Sequence, residues 1–232
     1  PMVDLTLFRS SDLSVNLLTG FLQFVSIAGL LILLPFYLSD TLGYSTREVG
    51  FLLAAVPITL GMLAPLSGSL SDRLGTRPVT VVGLVVTLVG YVAARLVYAV
   101  DTTAMEFVVV GLIIGAGIGL FQSPNNSAIL GSVPRERLGI TSGMLTINRI
   151  SGQIVGIAVL GTVWATRTVA YAGGGTAESA PPAAQAEGLS DTLLVPIALM
   201  IVALAVALLA WRSEREPRDA PPAGADPIPD PS

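Results

Sequence analysis

Charged residues divide the chain into long uncharged runs. Between Asp12 and Asp40 lie 27 residues without a charge, and between Glu48 and Asp72 another 23. Arg77 and Arg95 enclose 17, Glu106 and Arg135 enclose 28, and Asp191 and Arg212 enclose 20. The run of 29 from Arg137 to Arg167 is interrupted once, at Arg149. A helix needs roughly 20 predominantly apolar residues to cross a hydrocarbon core about 30 Å thick. The pattern therefore predicts six transmembrane helices, at about 13–38, 49–70, 79–100, 106–133, 139–166 and 192–211. A soluble bundle of this length could not hide six such segments. The expected fold is an all-α membrane domain over 13–211. Its first segment is no cleaved signal peptide, being too long, preceded by acids and followed by five more spans.

Composition narrows the chemistry. Hydrophobic residues make up 52% of the 232 and charged ones 12%, about half the charge of a soluble domain. There is no cysteine and no histidine, and all twelve basic residues are arginines. Structural zinc sites, haem ligation, thiol chemistry and Ser-His-Asp catalysis all lack their residues, as do Lys-dependent phosphate loops and Schiff bases. Neither an enzyme nor a bound cofactor is expected. A net charge of -4 without basic clusters argues against nucleic acid as a partner.

Arginine placement sets the expected orientation. Arg9, Arg73, Arg77, Arg135, Arg137, Arg212, Arg215 and Arg218 fall on one side, against Arg47, Arg167 and Arg95 on the other. Both termini are thus placed in the cytoplasm. Residues 1–12 form a cytoplasmic lead-in. Residues 168–190, with Gly173-Gly174-Gly175 and Pro181-Pro182, read as a flexible outer loop within the domain. Residues 212–232, rich in Pro, Asp, Glu and Ala, read as a disordered tail. The lysine-free, Ala/Arg/Pro-rich composition suggests a GC-rich genome and a bacterial inner membrane.

The second connection carries a pattern. Gly68, Leu70, Asp72, Arg73, Gly75 and Arg77 stand at the spacing G-x-L-x-D-R-x-G-x-R, between the second and third spans. This resembles motif A of the major facilitator superfamily. The resemblance implies a gating turn whose acid and arginines latch neighbouring helices. Asp4 to Arg9 leading into a span, Gly115-Ala116-Gly117-Ile118-Gly119, Pro124, Val133 to Arg137, and Gly139 through Ser142-Gly143 to Arg149 extend the likeness. Together they resemble the C-terminal six-helix half of fourteen-span drug:proton antiporters of the EmrB/QacA type. Such a half consists of two inverted three-helix repeats.

Polar groups in hydrocarbon are costly and usually face a bundle interior or a water-filled cavity. At about 1.5 Å per residue, Gln23, Gln122, Asn125, Asn126, Asn148, Arg149 and Gln153 fall at one level near the midplane. They are the candidate substrate cavity, with Gln122, Asn125 and Asn126 sharing a helix face. Interhelical hydrogen bonding that merely holds the bundle together is the other reading of the amides. Helices one, four and five carry this load, whereas the third and sixth look built for lipid. Gly111, Gly115 and Gly119, and likewise Gly152 and Gly156, recur every four residues and predict close helix packing.

All sixteen acids lie at span ends or outside. Proton coupling needs a titratable group in the pathway, so these helices alone should not run a proton cycle. That, and a start at Pro1-Met2, leads us to expect a partner half carrying the coupling acid. The expected function is the C-terminal half of a proton-coupled efflux transporter, working by alternating access on hydrophobic or cationic drug-like compounds. A half-size facilitated transporter acting as a homodimer, or a non-transporting membrane scaffold subunit, are the alternatives.

Overall fold

Each uncharged run becomes a helix or a pair of helices. The computed structural model describes residues 11–215. The expectations for the lead-in with Arg9 and for the tail beyond Arg215 lie outside the described residues. Helix α1 (Ser11–Phe36) passes into a π-helical turn at Tyr37–Thr41. The second span is α2 (Thr46–Leu53) plus α3 (Ala55–Leu74), the third is α4 (Thr76–Val97), and the fourth is α5 (Ala104–Gly131). A 3-10 turn at Arg135–Arg137 leads into α6 (Leu138–Ala172). The short α7 (Pro182–Thr192) then precedes α8 (Leu194–Arg215). Six segments are long and apolar enough to cross a membrane, and no strand occurs among the described residues.

Local chemistry explains the breaks. Proline removes a helical N–H and its ring clashes with the carbonyl four residues earlier. Pro57 places that conflict at Leu53, where α2 ends, and Pro196 places it at Thr192, where α7 ends. Glu48 and Glu106 stand at span entrances because each closes a capping box. Glu48 Oε2 accepts from Ser45 N at 2.9 Å, and Glu106 Oε2 accepts from Thr103 N at 2.8 Å. The boxes satisfy backbone donors that hydrocarbon cannot. Between α3 and α4 the chain reverses at Gly75, whose φ of 90° is strained for any L side chain.

The helices pack as two interleaved groups. α5 lies against both α3 and α4, α1 lies against both α6 and α8, and α1–α5 and α4–α8 contacts join the groups. Exchanging spans one to three with spans four to six maps these pairings onto one another. The fold is therefore two intertwined three-helix repeats, as the resemblance implied. Glycines sit at the crossings. A Cβ on Gly117 would strike Thr87 of α4, and one on Gly156 would strike the Val25 carbonyl of α1. Gly111, Gly115 and Gly119 abut α3 at Ala55, Val56 and Leu60, while Gly152 abuts Phe21 and Phe24.

One expectation is refined and one is corrected. Within this chain the least covered spans are the second and fifth, each 17% buried over its most apolar stretch, against 44% for the third and 33% for the sixth. The third span, expected to be built for lipid, exposes Val82, Val85, Val89 and Leu96 on one face and turns Thr87 and Tyr91 inward on the other, where they are fully buried. Residues 168–190 are not a spacer loop. α6 runs on to Ala172, and α7 docks on the bundle through Ala184, Gln185, Ala186, Gly188 and Leu189, all buried. Pro182 opens that helix at its first turn, where a missing N–H costs nothing.

This far end, opposite the Gly75 turn, is cross-braced. Arg95 Nη1 donates to the Ser190 carbonyl at 2.8 Å and lies 2.6 Å from Ser190 Oγ. The Tyr171 hydroxyl donates to Asp191 Oδ2 at 2.9 Å, with Arg167 Nε 3.8 Å from the same oxygen. The Tyr37 hydroxyl donates to the Ala99 carbonyl at 2.6 Å, and the rings of Tyr37, Tyr98 and Phe107 stack in sequence.

Gly156→Leu should cost about 3 kcal/mol by overpacking and lower the thermal unfolding midpoint in detergent. Gly161→Leu, where an added Cβ meets nothing within 4 Å, should leave the midpoint unchanged. Arg95→Gln removes charge-assisted bonds to α7 and should speed amide exchange across 182–192 about tenfold or more.

Candidate functional site

A cavity of about 580 Å³ lies between α1, α3, α4, α5 and α6, well within the range of small-molecule sites. Its walls are apolar: Phe24 and Leu31 of α1, Val56 and Leu60 of the second span, Phe107 and Ile118 of α5. Five polar side chains interrupt them, namely Tyr91, Tyr98, Gln122, Arg149 and Gln153. A second hollow of about 370 Å³ runs between α3 and α5, lined by Leu60, Ala64, Ser123, Asn126 and Ser127. Gln122 lines both. The apolar chamber and the polar groove thus meet at one carboxamide, about 14 Å from the Gly131 end of α5.

The polar residues expected at one level divide into two sets. Gln122, Arg149 and Gln153 line the chamber, and Asn126 lines the groove beside Gln122. Gln23, Asn125 and Asn148 line neither. Asn125 Nδ2 donates to the Asn16 carbonyl at 3.2 Å, and Asn148 Nδ2 donates to the Leu17 carbonyl at 3.0 Å. These amides bind α5 and α6 to adjacent carbonyls of α1, where Gly20 leaves room for both side chains. Gln23 is buried, and its Nε2 donates to Thr87 Oγ1 at 3.4 Å.

The shared helix face expected of Gln122, Asn125 and Asn126 is therefore only partly present. Residues three and four positions on flank the starting residue on opposite sides, since successive side chains turn through about 100°. Asn126 stays with Gln122 at the groove, while Asn125 turns into the α1 contact.

Charge in the chamber has one sign. Arg149 is exposed on α6 and makes no hydrogen bond or ion pair among the described residues. Among the described residues no acid lines the chamber. Burial pushes the Tyr98 phenol well above its ordinary range, so it stays neutral. Tyr91 is fully buried, and its hydroxyl has no hydrogen-bond partner. Among the described residues no three acid, histidine or cysteine side chains come together as a metal site would require.

The turn expected to gate is built, and two of its charged residues have no partner among the described residues. Gly75 N donates to the Ser71 carbonyl at 2.9 Å, closing α3, and Gly68 faces Ser123 of α5. Leu70, Asp72 and Arg73 are exposed, and Arg77 is half-buried. Neither Asp72 nor Arg73 makes a hydrogen bond or ion pair among the described residues. Among the described residues, the latch implied by the resemblance is thus absent for that acid and that arginine.

The site residues missed by sequence reasoning are Tyr91, Tyr98, Ser123 and Ser127. Thr87 and Tyr91, one turn apart in an otherwise apolar helix, were the available signal for an inward face. Ser123 and Ser127 run beside Gln122 and Asn126 at the same four-residue interval, but serine bonds readily to its own helix and so carries little sequence information.

Residues 17–231 match the Major Facilitator Superfamily. The chain is 36% identical over 160 residues to an uncharacterised transporter, YebQ, of Escherichia coli (strain K12), covering 69% of this chain and 35% of that protein. It is 31% identical over 166 residues to the multidrug resistance protein Stp of Mycobacterium tuberculosis (strain ATCC 25618 / H37Rv), covering 71% of this chain and 30% of that one. Similarity to the lincomycin resistance protein LmrB of Listeria monocytogenes serovar 1/2a (strain ATCC BAA-679 / EGD-e) is 28% over 173 residues, with 74% and 36% covered. The chain thus spans about a third of the length of the relatives it matches. With six membrane-spanning segments and a family match over nearly its whole length, the chain belongs to the Major Facilitator Superfamily, a family of multi-pass membrane transporters and not of enzymes.

Proposed function

We propose that these helices are the C-terminal half of a fourteen-span, proton-coupled efflux transporter for hydrophobic drug-like compounds. The observation that carries the reading is the meeting of chamber and groove at Gln122. A path that changes from apolar to polar at one hydrogen-bonding group suits a solute drawn from lipid and passed toward water. Relatives named for multidrug and lincomycin resistance support efflux as the direction.

The exposed flanks support a second half alongside. α3 presents Ile58, Met62 and Leu66, and α6 presents Ile147 and Ile154, all exposed. These apolar faces border the chamber, so a partner half covering them would close it. Asp72 and Arg73 point away from this bundle and are available to such a half as the latch. All described acids lie at span ends, in connections or on the short α7, so the coupling acid belongs to residues beyond 11–215. Placement follows the arginine count: a bacterial inner membrane, with the Gly75 turn and both termini in the cytoplasm. Neither the homodimeric facilitator nor the scaffold is favoured by relatives that are longer transporters.

In the full-length polypeptide, Asn126→Leu and Arg149→Ala should each lower efflux about tenfold or more at normal expression. Unchanged transport in both would remove the site assignment. Asn148→Leu should instead lower the amount of folded protein, because it frees α6 from α1. An uncoupler that collapses the proton gradient should stop efflux; persistence of efflux would exclude proton coupling.

A further inference from the structure

The chamber holds a chemical bias that its apolar walls conceal. Its polar side chains are two phenols, two carboxamides and one guanidinium. Every one can donate a hydrogen bond, and the guanidinium can do nothing else. Among the described residues no carboxylate lines the space, and Arg149 has no ion pair. A guanidinium that only donates and that no described acid offsets favours a ligand that brings acceptors over one that brings donors.

Aromatic side chains are the usual recourse of a cation in an apolar site, which binds over a ring face. For Tyr98 both faces are taken, since it is stacked between Tyr37 and Phe107, with ring centroids 5.5 Å and 5.2 Å away. What such a stack offers to the side is ring edge, the positive rim of the quadrupole. That ring and Arg149 therefore favour the same sign of ligand charge.

We propose that this chamber selects amphipathic organic anions, an aromatic or aliphatic body bearing an acidic group, over lipophilic cations of the same shape, and that Arg149 sets the preference. The inference rests on the chamber being the binding site of the transported compound. It keeps the hydrophobic part of the expected class and replaces the cationic part with compounds bearing an acidic or acceptor-rich end. The body lies against Phe24, Leu31 and Ile118, and the acid meets Arg149 and Gln153.

The test uses two fluorescent probes of one shape and opposite charge, 1-pyrenebutyrate and 4-(1-pyrenyl)butyltrimethylammonium. Saturable binding is measured on the purified full-length protein in nanodiscs of phosphatidylcholine, a lipid without net charge. The anion should bind about tenfold tighter or more. Arg149→Gln should bring the two affinities within about twofold, and Arg149→Lys should keep the order. Arg149 is exposed, so neither variant should change the thermal unfolding midpoint; if one fails to fold, the preference of the unmodified protein still decides. Equal affinities, a tighter cation, or a preference that survives Arg149→Gln would each overturn the inference while leaving the chamber as a binding site. Absence of saturable binding by both probes would overturn the chamber itself, and this inference with it.

Discussion

Backbone proximity at glycine crossings holds this bundle together. In hydrocarbon, apolar side chains gain nothing by leaving lipid for protein, so helices associate through close packing and a few hydrogen bonds. Two seams supply it. Along one, Gly83, Gly90 and Gly117 bring α4 and α5 together; along the other, Gly29, Gly152 and Gly156 bring α1 and α6 together. Each seam ties one three-helix repeat to the other. A third row, Gly111, Gly115 and Gly119, sets α3 against α5. The chamber is the space left where α1, α3, α5 and α6 diverge.

The seams also decide the fate of each midplane amide. Asn125 and Asn148 face α1 near Gly20, close enough for direct bonds to its carbonyls, and become ties. Gln122 and Gln153 face the space where no backbone approaches and remain available. All four carry the same carboxamide group. What differs is the distance to the next helix.

That distinction marks the limit of what sequence could say. The spans were legible because charge in hydrocarbon is expensive and so brackets each crossing. The close-packing glycines were legible because their spacing matches a helix face. The facing of Asn125 and Asn148 was not, since it depends on which neighbour lies across the seam. Tyr91 was hidden for the same reason: one phenol in an apolar helix reads as an interface residue until its hydroxyl is found buried. α7 was concealed by composition. Its alanines and glycine resemble a spacer, yet small residues are what let a short helix lie flat on Thr168, the turn at Tyr37–Thr41 and α4.

Gln122 belongs to both hollows, and its chemistry bears on direction. A carboxamide carries a donor and an acceptor on one rotatable plane, so it receives a solute from either side on equal terms. It does not ionise, and no difference in acidity across the bilayer can turn it into a one-way valve. By microscopic reversibility, such a junction works as well for uptake as for export. Whatever drives net flow through these helices must therefore act on the equilibrium between conformations and not on this crossing point.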